Sequence, residues 1–105
     1  MQFLVRFDVH QHPDWSNREL FEMWDREADA ALAAMDAGAV THLWKVAGQR
    51  VVFAVLELPD AETVDRALEG LPIIKEMGAT VGTEALPIYD YRTFASDVKE
   101  ALGEG

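Results

Sequence analysis

Between Ser16 and Gly38 the sequence specifies one long amphipathic helix, and in a chain of 105 residues that element dictates what surrounds it. Ser16-Asn17-Arg18-Glu19 forms a capping box, with Ser16 as N-cap and Glu19 in the first turn. The helix is expected to run to about Ala37, with Gly38 as the left-handed residue that ends it. On a wheel of about 100° per residue, Leu20, Met23, Trp24, Ala28, Ala31, Leu32, Ala34 and Met35 form a broad apolar arc. That arc needs a surface to cover it, and a chain this short has room for one core.

The flanking segments supply a sheet. Phe3, Val5, Phe7 and Val9 share one face of a strand over residues 2–9, and Leu4, Arg6 and Asp8 share the other. Val40 to Ala47 and Arg50 to Leu58 read as the next two strands, with Gly48-Gln49 between them as a two-residue type II′ turn. Asp60 caps a short helix carrying Val64, Ala67 and Leu68, and Gly70 stops it. Leu71-Pro72 begins a compact connection, and Ala79 to Leu86 reads as a fourth strand weakened by Gly82. The order β-α-β-β-α-β is the ferredoxin-like arrangement, an α+β fold with an antiparallel sheet.

That domain is expected over residues 1–87, with 88–105 as a C-terminal extension. Tyr91, Phe94, Val98 and Leu102 recur there at helical spacing, so the tail is expected to be helical and to pack on its own domain or exchange with a partner subunit. The strands are also apolar on both faces: Leu43, Val52, Ala54 and Leu56 lie opposite Trp44, Phe53 and Val55. One layer of helices covers one face, so a homodimer or larger homo-oligomer is expected.

Composition narrows the chemistry. Half of the residues are hydrophobic, which suits a packed core. The absence of cysteine excludes disulfides, thiolate metal sites and a cysteine nucleophile, and it suits a cytoplasmic location. Arg6 and Asp8 interrupt the first apolar run, so no signal peptide is expected, and no stretch approaches the roughly 20 apolar residues of a membrane span. A net charge of −10 opposes nucleic acid and anionic lipid. No glycine-rich phosphate loop, nucleophile elbow or paired-carboxylate motif appears, so no cofactor is expected. His10-Gln11-His12 has a spacing found in some metal sites but lacks a third ligand. An exposed loop explains it better, and no metal is expected.

One charge is out of place. Glu27 projects between Leu20, Met23, Ala31 and Ala34, near the middle of the apolar arc, while Glu19, Glu22, Asp25, Arg26, Asp29 and Asp36 take the opposite side. Burial raises a carboxyl pKa towards neutrality, the state in which a general base works near pH 7. The structural alternative is a carboxylate paired with Arg6, Lys45 or a histidine, or one that looks out through a subunit interface. His42, on the same face as Val40, Trp44 and Val46, reads as a hydrogen-bonded core histidine or, if Glu27 is near, a second catalytic group. Arg6, Lys45 and Arg50 are cations on strands, suited to holding a carboxylate or stabilising an enolate, or to guarding a sheet edge. We take Glu27, His42 and Lys45 as catalytic candidates, and Arg6, Trp24, Trp44 and Arg50 as candidates for substrate contact. Tyr89 and Tyr91 can close over a site from the tail.

The segment His42-Leu43-Trp44-Lys45-Val46-Ala47-Gly48 is similar to the H-L-W-R-I-x-G of muconolactone Δ-isomerases. Phe3, Val5, Glu27, Gly38, and Leu71-Pro72 followed by Met77, extend the resemblance from the first strand to the fourth. It implies a ferredoxin-like fold, dimers and larger rings, no cofactor, and a base that shifts a lactone double bond by removing a ring proton and returning one to the far carbon. A family glutamate in the first helix aligns with Glu27, and some relatives expel chloride from chlorinated lactones. The pocket departs from the pattern. Trp24 stands where the family usually has lysine, Arg50-Val51-Val52-Phe53-Ala54 replaces Y-A-N-Y-S, and Ile74-Lys75-Glu76-Met77-Gly78 replaces F-P-Y-M-D. These changes lean towards a bulkier and less charged substrate. The expected function is proton transfer or a related cyclisation on a small lactone or conjugated carbonyl compound, in aromatic degradation or specialised metabolism. The alternatives are a non-catalytic module that binds a small molecule or assembles, and a cofactor-independent monooxygenase on the same fold.

Overall fold

The computed structural model describes residues 1–103. Its elements are β1 (Gln2–Val9), α1 (Asn17–Asp36), β2 (Val40–Lys45), β3 (Val51–Glu57), α2 (Ala61–Glu69), α3 (Pro72–Met77), β4 (Val81–Ile88) and α4 (Tyr91–Ala101). All strand pairings are antiparallel, in the order β2-β3-β1-β4, so the α+β ferredoxin-like arrangement holds. The capping box closes as its sequence requires: Ser16 Oγ accepts the Glu19 N–H, and the Glu19 carboxylate accepts the Ser16 N–H, both at 3.2 Å. Gly38 leaves α1 at φ 85°, a conformation that favours glycine.

Helices α1, α2 and α3 pack on one face of the sheet. Phe3, Val5 and Phe7 of β1 meet Ala54 and Leu56 of β3 and Val64 of α2 in one core cluster. Val9, Leu20, Met23, Ile73 and Met77 form a second, which joins α1 to α3 and the end of β1.

Four local expectations are corrected. The connection after Leu71 is helical: Pro72 opens α3, its fixed φ suiting the first helical turn, where its missing N–H costs no intrahelical bond. A 3-10 turn over Gly78–Thr80 then delivers the chain to β4, which begins at Val81 rather than Ala79 and continues through Pro87 to Ile88. Proline is tolerated there because β4 is an edge strand. The β2–β3 hairpin closes between Val46 and Val51, whose N–H and carbonyl meet at 2.9 Å, so the loop is Ala47 to Arg50 and not Gly48-Gln49 alone. Gly48 still supplies the positive φ, 75°, but Arg50 becomes a loop residue.

The fourth correction concerns sidedness. Val40 pairs with Leu56 and His42 with Val55, so Thr41 is the extra residue of a β-bulge. Val40 therefore faces the helices while His42 and Trp44 face away. His42 is exposed and is not a core histidine.

The tail is helical over α4, and its apolar stripe is bare. Tyr91 and Leu102 are 75% and 70% exposed, with Phe94 and Val98 exposed between them. Helix α4 extends the molecule to 60 × 27 × 21 Å and its radius of gyration to 16.9 Å, against about 13 Å for a compact domain of this size. No helix among the described residues is long and apolar enough to cross a membrane.

Candidate active site

Three alanines make the site possible. Ala28, Ala31 and Ala34 occupy positions on α1 that face β2 and β3, and their small side chains do not fill the space beneath the helix. What remains is a cavity of about 700 Å³, open to solvent and walled mostly by apolar side chains. Trp24 and Phe21 line it from α1, Leu43 and Val52 from the sheet, and Leu71 and Ile73 from the start of α3.

Among the described residues, Glu27 is the one carboxylate on that wall. It is half-buried, and burial pushes its carboxyl above the usual carboxylate value. A smaller effect opposes this: the Ile73 N–H donates to Glu27 Oε2 at 3.1 Å. The donor has a reason to be there. Leu71, the N-cap of α3, offers no side-chain cap, and Pro72 has no N–H, so Ile73 presents the first unpaired backbone donor of the helix. Glu27 is thus partnered by a backbone group rather than by Arg6, Lys45 or a histidine.

The structure gathers some of the candidates and separates others. Lys45 faces the helices and lines the cavity, its Nζ donating to the Val46 carbonyl at 2.9 Å. Arg50 joins the lining from the hairpin loop, and Trp24 from α1. Arg6 does not. It lies on the far side of the sheet, its Nη2 3.5 Å from Asp8 Oδ2, in a small dent with Thr83 and Glu84. His42 is on that far side too, its Nδ1 3.1 Å from Thr41 Oγ1. Trp44 borders the cavity, yet its indole is 53% exposed and stacks on the His42 ring with centroids 5.2 Å apart. Tyr89 and Tyr91 stay outside the lining, exposed. No group of three or more His, Cys, Asp or Glu among the described residues converges as a metal site.

Two site features escaped the sequence. Phe21 precedes Trp24 and Ala28 by one and two helical turns, a spacing that places all three along one wall. The Ile73 N–H is a backbone group, visible only once Leu71-Pro72 is taken as a helix start.

The chain matches the family model for muconolactone delta-isomerase over residues 1–91. It belongs to that family. The crystal structure of muconolactone isomerase superposes with a TM-score of 0.72 at 22% sequence identity, covering 86% of this chain and 90% of that one. A 5-chloro-2-hydroxyhydroquinone dehydrochlorinase from Burkholderia phenoliruptrix AC1100, in complex with 2,5-dihydroxybenzoquinone, gives a TM-score of 0.55 at 19% identity, with 85% and 94% coverage. A search of curated proteins returned no match. Trp24, Arg50 and Val52, three of the positions at which the sequence was set against the muconolactone delta-isomerase pattern, all line the cavity.

Proposed function

We propose that the chain is a cofactor-free proton-transfer enzyme that moves a double bond, or closes a related ring, in a small lactone or conjugated carbonyl compound, with Glu27 as the base. The observation that carries this reading is a half-buried carboxylate on the wall of an apolar cavity, and the sequence resemblance, which aligns Glu27 with a family glutamate, supports it. In the proposed cycle, ionised Glu27 takes a proton from the carbon next to the conjugated system. The electron pair of that C–H bond moves towards the carbonyl oxygen, giving a dienolate. Lys45, with Arg50, offsets the developing negative charge. Protonated Glu27 returns the proton to the far carbon, so the double bond has moved and nothing is consumed.

The apolar wall, with Trp24 and Val52 in place of polar groups, supports a substrate bulkier and less charged than muconolactone. Such a compound belongs to aromatic degradation or specialised metabolism, and the family membership supports the former. We place the enzyme in the cytoplasm as a homodimer or larger homo-oligomer, with the tail that follows β4, helix α4, exchanged with a partner subunit. The exposed stripe on α4 supports that arrangement.

Glu27→Gln tests the assignment. It keeps the shape and an acceptor for Ile73 but removes the base. Deuterium exchange or isomerisation of a confirmed substrate is expected to fall by about 10²–10⁴-fold while binding persists. Turnover at the wild-type rate defeats it. The second reading, a non-catalytic binding module, is favoured by the same hydrogen bond, since capping α3 is a structural job for Glu27. It predicts binding without exchange in either protein.

A further inference from the structure

Glu27 and Ile73 are not the only bridge between α1 and α3. Beside it, Arg26 Nε donates to Glu76 Oε2 at 3.2 Å, and Arg26 Nη2 donates to Glu76 Oε1, a forked two-bond pair. Arg26 is the chain neighbour of Glu27, and Glu76 lies one turn beyond Ile73 on α3. The two links therefore run side by side, one at the surface and one at the cavity.

We propose that Arg26 and Glu76 are positioning residues, which fix α3 on α1 so that the Ile73 N–H holds the Glu27 carboxylate in place on the cavity wall. The need for such a device follows from α3 itself. It has six residues and no side-chain cap of its own. Ile73 and Met77 bury against Leu20 and Met23, but apolar contacts are non-directional and tolerate rotation and sliding. A forked guanidinium–carboxylate pair has directional geometry. It restricts both motions, and a small rotation of α3 is enough to swing the Ile73 N–H away. One carboxylate oxygen then stays tied by the backbone, and the other is left for chemistry.

The surroundings make the consequence measurable. On α1 the residues three and four positions from Glu27 are Met23, Trp24, Ala30 and Ala31, all uncharged. Nearby charges on α1 are Glu22, Asp25, Arg26 and Asp29, and those on the packed elements are Lys75 and Glu76 on α3, Lys45 on β2 and Arg50 in the hairpin loop. Deleting Glu76 removes an anion, and by charge alone makes Glu27 easier to ionise. Deleting Arg26 removes a cation and does the reverse. Loss of the Ile73 bond makes ionisation harder in both cases. Sign separates the explanations.

The experiment follows the Glu27 carboxyl carbon by NMR through a pH titration, assigned with Glu27→Gln, in wild type, Arg26→Ala, Glu76→Ala and the reversed pair Arg26→Glu/Glu76→Arg. Alanine suits both helices, and circular dichroism verifies that each variant folds. The expected result is an upward shift of the Glu27 midpoint in both single variants, faster hydrogen exchange at Ile73, and return towards wild type in the reversed pair. A downward or absent shift in Glu76→Ala, with Ile73 protected as before, overturns the proposal. The reversed pair decides the matter if a single variant does not fold: a wild-type midpoint supports the fork, a raised one overturns it. The consequence for turnover rests on Glu27 as the base, but the titration needs no substrate. Normal turnover in Glu27→Gln removes the catalytic role and leaves the fork; an unmoved titration removes the fork and leaves the base.

Discussion

Ile73 gives its backbone N–H to Glu27 Oε2 across the gap between α3 and α1, at 3.1 Å. The bond partners a helix-end donor and aims a carboxylate at once, so stability and chemistry meet in one atom pair. Its effects are separable by pH. Burial raises the Glu27 pKa above its unfolded value, so folding favours the protonated form. The contribution is fully present below the unfolded pKa and is lost as pH rises through the folded one. Glu27→Gln is therefore expected to be more heat-stable than wild type at pH 8, with the advantage shrinking as pH falls towards the ordinary glutamate range. Thermal melts at several pH values measure it; an advantage that does not vary with pH contradicts the burial argument.

The pH dependence of turnover is expected to run the other way. A base must be ionised to accept a proton, so kcat/KM is expected to fall as pH drops through the raised Glu27 pKa. The acid limb of the profile then lies above the usual carboxylate value. A limb at or below that value assigns the base elsewhere.

Lys45→Gln is expected to lower kcat by about 10²-fold or more, the usual cost of losing one group that stabilises an enolate. It is expected to leave the fold intact, since Lys45 is exposed and bonded only to a neighbouring carbonyl. Steady-state kinetics beside a melting curve tests both halves. An effect on KM alone makes Lys45 a binding group.

Ala31→Leu places a larger side chain on the cavity wall. It is expected to weaken binding of an apolar ligand at least tenfold, because it occupies the ligand's volume, while thermal stability is held or improved. Calorimetric titration against the wild type checks this. Unchanged affinity puts the ligand elsewhere.

The bare stripe of α4 gives a test of assembly. Sedimentation at micromolar concentration is expected to show a dimer or larger species, and Phe94→Asp with Val98→Asp is expected to dissociate it. A stable wild-type monomer contradicts the exchange of the tail.

Much of this architecture was legible in the residues because its signals are local. Ser16 with Glu19, Gly38, and the alternation of Phe3, Val5, Phe7 and Val9 each depend on neighbours a few positions away. Glu27 stood out for the same reason: its misplacement is visible on the helix wheel without knowing what the helix covers. Misjudged features depend on longer range. The side of the sheet that His42 takes depends on how Thr41 meets Val55 on another strand. Arg6 is different: alternation already set it with Leu4 and Asp8 opposite Phe3 and Phe7, and what stayed hidden was which face holds the cavity. The helix after Leu71 is too short for periodicity to announce, so its N–H partner for Glu27 stayed hidden. The hollow under Ala28, Ala31 and Ala34 is a property of volume, which hydrophobic pattern alone does not carry.

The bulge at Thr41 has a consequence for how this chain tolerates change. With Val40 and Leu43 both turned inward across it, β2 presents the cavity with residues three apart, while His42 and Trp44 form a separate aromatic patch outside. Substitutions at His42 alter what the molecule shows its surroundings with little effect on the chamber behind, changes at Val40 or Leu43 do the opposite, and Trp44, at the cavity's border, touches both. The independence rests on the extra residue: a regular strand that kept Thr41 forces Val40 and His42 onto one face, so either the valine leaves the chamber or the histidine enters it. Deleting Thr41 makes the two consecutive, and simple alternation then keeps them on opposite faces without the bulge.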